Sequence, residues 1–332
     1  MHFNLRFSAL LAAPVLALSL ASCDIMAISG GREPQPVTDL RILSADDMQG
    51  RLVGSEGNAR ARAYIVERLG EIGVEAVFEN YEQSFTFQRS LDFRDPDAER
   101  ETITAVNLVG RIAGTNPGDH VMVVGAHYDH VGMDEDGNIF NGADDNASGT
   151  AGLLAVAAAF MENPPENDVI LVAFDAEEGG LRGARHFVAN RPEGYERIGF
   201  MLNMDMIAYS ETDDLYAVGT WHYPVLLDLV AAAAEASRIN LRTGYDEPSD
   251  DPRNDWTMLS DHGPFHAAGI PFLYLGVEDH EHYHQITDTY ENMTLAFFGG
   301  AVETAVDVAR RADAMLDLIA TSPSRQPEAV EK

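Results

Sequence analysis

A chain of 332 residues with 45% hydrophobic content is long enough for one large α/β domain, or two small ones, with a substantial core, and this excludes disorder throughout. Its 54 acidic against 22 basic side chains give a formal charge of -32, which excludes nucleic acid as a partner because phosphate backbones are held by neutralising cations. The acidic excess itself reads as a solvated surface, including the stretch with Asp246, Glu247, Asp250, Asp251 and Asp255.

In chain order, Arg6 precedes an apolar run over residues 10–21 that is too short to span a bilayer comfortably, and Leu20-Ala21-Ser22-Cys23 closes it. Residues 1–22 therefore read as an export signal. The closing four residues resemble the lipobox of bacterial lipoproteins, which implies cleavage before Cys23, lipid on its sulfur, and a protein anchored to a bacterial membrane facing the periplasm or the cell exterior. An ordinary secretory signal is the plainer alternative. Cys23 is the only cysteine in the sequence, so it has no partner for an internal disulfide. Residues 23–37, with Gly30, Gly31 and Pro34, have the composition of a tether ahead of a single domain expected over residues 38–320.

Within that domain, Ala61, Ile65, Leu69 and Ile72 mark an amphipathic helix over residues 58–72 that ends at Gly73. Residues 85–111 read as strands and turns. Short apolar runs at 121–124, 169–174, 200–204 and 270–275 have the length and composition of strands buried on both faces. Ala- and Leu-rich residues 148–161 predict a buried helix, residues 225–237 another, and residues 295–319 one long terminal helix. Residues 321–332 read as a disordered tail. The pattern is that of an α/β three-layer sandwich, a mixed, mostly parallel central sheet with helices on both faces.

Five groups of metal-ligating residue types follow one another along the chain: His127-Tyr128-Asp129, Gly142-Ala143-Asp144-Asp145-Asn146, Glu177-Glu178, Asp205, and a His-rich stretch ending at His284. Four of them come shortly after an apolar strand run. In an open α/β sheet, ligands bind beyond the carboxyl ends of the strands, so remote residues converge there on one metal site, expected to be binuclear. Two ions about 3.5 to 4 Å apart need a bridging carboxylate, which the 144–146 loop can supply. Of His127 and Asp129, one can bind metal while the other orients it. Adjacent Glu177 and Glu178 point apart, so a division into one ligand and one general base is expected. His130, His262 and His266 read as polar lining or core.

These residues resemble the two-zinc exopeptidases of metallopeptidase family 28, a family of bacterial leucyl-type aminopeptidases and glutamate carboxypeptidase. The resemblance runs from Asp47-Met48-Gln49-Gly50-Arg51 and Gly54-Ser55-Glu56-Gly57-Asn58 to His284 with Asp288-Thr289, and is most specific at residues 142–149. It implies the zinc-dependent exopeptidase fold and two Zn2+ ions per chain. Asp145 would bridge them, with a cis peptide after it. His127 and Asp205 would complete one zinc, and Glu178 and His284 the other. It further implies Glu177 as general base, Asp129 as the carboxylate behind the ligands, Tyr283 as an aid to the oxyanion, and Ser260-Asp261-His262 as a structural or pocket-shaping element. The substrates implied are peptides with a free N-terminus. Carboxypeptidase or dipeptidase action would need a cationic pocket, for which only scattered arginines such as Arg182, Arg185 and Arg253 are at hand. A glutaminyl cyclase-like acyltransferase shares the fold but uses one zinc. Oligomeric state, side-chain preference and native metal are left open.

Overall fold

The computed structural model describes residues 33–90 and 98–325. The export signal, Cys23, most of the tether and residues 326–332 lie outside the described residues. Eleven strands are described: β1 (Glu75–Ala76), β2 (Glu82–Ser90), β3 (Arg100–Ile112), β4 (Val121–His127), β5 (Gly132–Met133), β6 (Ile139–Phe140), β7 (Val169–Phe174), β8 (Ile198–Met204), β9 (Asp214–Val218), β10 (Asn240–Thr243) and β11 (Phe272–Gly276). Between them run eight helices: α1 (Gln35–Leu43), α2 (Glu56–Ile72), α3 (Gly149–Glu162), α4 (Arg182–Ala189), α5 (Leu227–Ala236), α6 (His262–Ala267), α7 (Leu295–Ala314) and α8 (Leu316–Thr321).

Nine strands form one sheet, ordered β1-β3-β7-β4-β8-β11-β9-β10 with β2 also paired to β3, while β5 and β6 make a separate ribbon. The central four, β7, β4, β8 and β11, run parallel, and antiparallel pairings of β3 with β7 and of β9 with β11 extend the flanks. Every residue of β4, β7, β8 and β11 is buried, as continuous apolar runs require when helices cover both faces. Alternation along β8 shows the two faces: Met204 lies under Gly152 of α3, and Asn203 donates to Ser260 beside α6. On the α6 face, the Phe174 ring meets Phe187 of α4 and Phe265 of α6 edge-on at 6.0 and 6.2 Å.

Helix α2 begins two residues before its periodicity suggests, because Ser55 accepts from the Asn58 N–H at 3.1 Å and caps it. It ends where expected, with Gly73 left-handed at φ 90. Two expectations shift. The first helix opens at Gln35, inside the stretch assigned to the tether. There Pro34 and Pro36 suit a helix start, and Val37, Leu40 and Leu43 are buried. The terminal helix breaks at Met315 (φ -117), next to Asp313, whose carboxylate turns inward to accept from the N–H groups of Glu166 and Asn167 at 2.7 and 2.9 Å. Arg325 is held as well, its N–H donating to the His222 carbonyl at 2.7 Å.

A Gly73→Ala substitution forces a side chain into the left-handed region, with the Met161 methyl 3.3 Å from the new Cβ. Unfolding free energy should fall by about 1 kcal/mol, measured by urea titration.

Candidate functional site

The parallel strands end on one edge, and the loops leaving β4, β7, β8 and β11 carry the acidic and histidine residues to it. His127 is the last residue of β4, Glu177 and Glu178 lie three and four residues past Phe174, and Asp205 directly follows β8. The structure brings His127, Asp145, Glu177, Glu178, Asp205, Tyr283 and His284 together as lining of one cavity.

Asp145 stands at the centre. Its Oδ1 is 3.4 Å from His127 Nε2, and its Oδ2 is 3.0 Å from His284 Nε2 and 3.6 Å from His130 Nδ1. One carboxylate thus faces two groups of donors. On one side, His127 Nε2 is also 3.2 Å from Asp205 Oδ1, and Glu177 joins them. On the other, Glu178 Oε1 is 3.3 Å from His284 Nε2 and 2.9 Å from His130 Nδ1. Within each of the groups His127, Glu177, Asp205 and His130, Asp145, Glu178, His284, the ligand atoms all lie within 4.8 Å of one another.

The loop bearing Asp145 is fixed from several directions. The peptide between Asp145 and Asn146 is cis. Asp288 accepts from the N–H groups of Asp144 and Asp145 at 2.8 and 3.1 Å, and Asp144 in turn accepts from Ala208 N at 2.6 Å and meets His280 Nε2 at 2.8 Å. His280 therefore belongs to the scaffold and leaves His284 facing the carboxylates. Gly142 is required beside the loop: at φ 60, a Cβ there would strike the Asp145 carbonyl at 2.3 Å and the His130 ring at 2.6 Å.

His127 is oriented by a backbone group, its Nδ1 lying 3.2 Å from the Asp129 carbonyl oxygen. The Asp129 carboxylate stands 3.8 Å from the same nitrogen and instead accepts from the N–H groups of Glu177 and Glu178 at 3.0 and 3.4 Å. It therefore positions the loop carrying the two glutamates.

Arg51 is fully buried, and its hydrogen bonds all run to carbonyls rather than carboxylates. Nε donates to the Tyr128 carbonyl at 2.8 Å, and the terminal nitrogens donate to Leu43, Asn141 and Gly142 carbonyls at 2.7, 2.6 and 2.7 Å. Burial pulls its pKa down to about 10, opposed by Asp288, Asp145, Asp129 and Glu178, so it stays charged at neutral pH.

Burial drives the Glu177 carboxyl well above the usual range. His127 opposes that rise, while Asp261, Asp205 and Glu178 add to it. Glu178 is also desolvated, yet His130 and His284 hold it well below the ordinary value. Two neighbouring glutamates thus differ in proton affinity because they face different partners. Burial, followed by Asp145, Asp205 and Glu178, pushes the Tyr283 phenol upward, so it stays protonated; its ring stacks on His284 with centroids 4.1 Å apart.

Imidazole nitrogens and carboxylate oxygens are the donor set that suits zinc. The carboxylates gathered here need more positive charge than the nearby side chains provide, because Arg51 is turned to carbonyls. The residues therefore fit divalent cations.

Sequence reasoning named three groups without giving the surroundings the structure shows for them. His130, read as lining, points its Nδ1 into the cluster. Asp261 is buried with neither carboxylate oxygen hydrogen-bonded, and burial raises it to about 7, with His127 opposing and Asp205 adding. Asp246, placed in a solvated acidic loop, is buried and accepts from the N–H groups of Gly219 and Trp221, each at 2.8 Å. His262 and His266 lie where expected, packed on Phe272.

A model of Peptidase family M28 matches residues 107–309. The chain belongs to that family. An aminopeptidase of Pseudomonas aeruginosa is 31% identical over 166 residues, covering 48% of this chain and 30% of that protein's length. Among solved structures, a zinc aminopeptidase from Bacillus subtilis superposes with a TM-score of 0.66 at 17% identity, over 84% of this chain and 94% of the other. A Bacteroides thetaiotaomicron glutaminyl cyclase bound to N-acetylhistamine gives 0.62 at 17% identity, over 82% and 96%. These two likenesses establish the shared fold.

Replacing Arg51 by lysine leaves an ammonium with three donors facing four carbonyls. The Gly142 carbonyl keeps the Ala147 N–H, but an ammonium lacks the planar fork that meets the other three carbonyls, so Arg51→Lys should lower unfolding free energy by about 1–3 kcal/mol in a urea titration. A change under about 0.5 kcal/mol would mean that water replaces the missing bond.

Proposed function

We propose that the protein is a two-zinc aminopeptidase that removes the N-terminal residue of peptides. The observation that carries this reading is the placement of Asp145, one oxygen toward His127 and the other toward His284, between Asp205 on one side and Glu178 on the other. In this reading His127, Asp145 and Asp205 hold one cation, and Asp145, Glu178 and His284 the other. Cations bound there would polarise the peptide carbonyl and bring the pKa of a water between them toward about 7.

The remaining work falls to side chains. Glu177, on the cavity wall beside His127 and Asp205, takes the proton of the attacking water and returns it to the leaving amine. Tyr283, protonated on the cavity wall, donates a hydrogen bond to the developing oxyanion. Asp129 holds both glutamates through their N–H groups, keeping base and ligand at a fixed separation. Met206, Trp256, Leu259, Tyr274 and Val277 offer an apolar wall for the substrate side chain.

The direction of attack follows from charge. Among the described residues lining the cavity none is arginine or lysine, whereas Asp279 lies on the wall with the metal-facing carboxylates. Such a surface favours an ammonium over a carboxylate, hence the amino end of the peptide. Arg182 lies over the Phe87 ring and Arg253 pairs with Asp251, so neither supplies a carboxylate clamp.

An aminoacyl fluorogenic library should be hydrolysed, with activity lost to chelator and absent on N-blocked peptides. Release of the C-terminal residue from blocked peptides, or ring closure of glutaminyl peptides without hydrolysis, would sink the reading. Glu177→Gln should lower kcat by about 10^2 to 10^4 with two metals still bound by elemental analysis. Near-normal turnover in that variant removes Glu177 from the base role.

Export with a lipid anchor at Cys23 belongs to the same proposal. Expressed in a Gram-negative host, the protein should take up labelled palmitate and sediment with membranes, and Cys23→Ser should do neither. Labelling that persists in the variant places the lipid elsewhere.

A further inference from the structure

We propose that His130 is a metal ligand, so that one of the two cation sites is held by four side chains, His130, Asp145, Glu178 and His284, and binds its ion more tightly than the other. The inference rests on the metal-site reading above and extends it to a residue outside the ligand set that the family resemblance implies.

Donors about 2.0–2.1 Å from a tetrahedral zinc stand roughly 3.3 Å from one another. His284 Nε2 meets that spacing at 3.0 Å from Asp145 Oδ2 and 3.3 Å from Glu178 Oε1. His130 Nδ1 meets it against the same two carboxylates, at 3.6 and 2.9 Å. A hydrogen bond accounts for the Glu178 contact alone, since 3.6 Å to Asp145 is beyond hydrogen-bond reach. A lone pair aimed at a cation between the two carboxylates accounts for both distances. The opposite site has the same spacing, with His127 Nε2 at 3.4 Å from Asp145 Oδ1 and 3.2 Å from Asp205 Oδ1.

The surroundings hold the His130 ring in this pose. Its side chain is 0% exposed, against 37% for His284, and the two rings meet edge-on at 5.6 Å. The absence of a side chain at Gly142 makes room for it against the Asp145 loop. With Nδ1 turned to the cation, Nε2 carries the proton, and that N–H lies buried with no protein partner.

A zinc with four protein ligands takes a shared water only by expanding to five-coordinate, whereas one with three has a position free for it. The cation held by His130 is then the more tightly bound of the two.

The test uses the full-length protein loaded with cobalt in place of zinc. Each neutral histidine bound to cobalt shows one hyperfine-shifted, solvent-exchangeable N–H signal in the proton NMR spectrum. Three such signals are expected from His127, His130 and His284, the His130 signal exchanging slowly because its N–H is buried. His130→Gln should lose that signal and bind one of the two cobalt equivalents at least 100-fold more weakly in a chelator competition. The wild-type count needs no variant, so a misfolded substitution does not block the test. Two signals in wild type, unchanged in His130→Gln with both metals bound, would overturn the inference, make His130 a hydrogen-bond donor to Glu178, and leave the aminopeptidase reading intact. Failure to bind cobalt, with no chelator-sensitive peptidase activity, would overturn both.

Discussion

The carboxylates of Asp145, Glu178 and Asp205 lie within about an atom's width of imidazole nitrogens and largely out of water, and Glu177, Asp129 and Asp261 crowd the same strand edge. Carboxylates of like charge held in an interior cost several kcal/mol each unless compensated. The structure answers in two ways. Some carboxyls rise in proton affinity, as Glu177 and Asp129 do through burial. Others, Glu178 and Asp205, are desolvated too but are held in the charged form by histidines. The same imbalance makes the site a receptor for cations.

Holding that arrangement falls to groups that never touch the cavity. Arg51 gathers the carbonyl between His127 and Asp129 and the carbonyls just before the Asp145 loop, so one guanidinium fixes two segments of the site that are remote in sequence. Asp288 does the same from the far end of the chain, tying the histidine loop to the Asp144 and Asp145 N–H groups. A buried charge that spends its hydrogen bonds on carbonyls gives modest net stability but strict geometry, and a metal site needs that geometry.

Much of the site's layout is legible in the sequence, and the reason is physical. Parallel strands buried on both faces must be continuous apolar runs, so their carboxyl ends, and the ligands after them, stand out in the sequence. What lay past the strand ends did not stand out. The alternation that places residues two apart on one face holds only within a strand, and β4 stops at His127. Beyond it the chain turns, so Asp129 reaches the glutamate loop by its carboxylate while His130 swings into the cluster. Arg51 carries no local signal, because its four acceptors lie 8 to 91 residues away. Helix α1 was hidden by its prolines, which read as tether from composition and as helix-starting residues only once Val37, Leu40 and Leu43 are seen to be buried.

The adjacent glutamates show how one strand-end loop can serve two groups of donors at once. Ala176 takes a left-handed conformation at φ 59 just before them, and Asp129 accepts from both of their N–H groups, so the dipeptide is held as a rigid turn. Neighbours in such a turn must diverge. Glu177 goes to the His127 side, where burial and like charge raise its proton affinity, and Glu178 goes to the His284 side, where two imidazoles lower it. Asp145 makes the same division within a single carboxylate, one oxygen to each side. Two halves of a site are thus coupled through covalently adjacent atoms, and their separation is set by bond geometry and a clamped turn. Packing of separate elements alone would leave that separation free to vary.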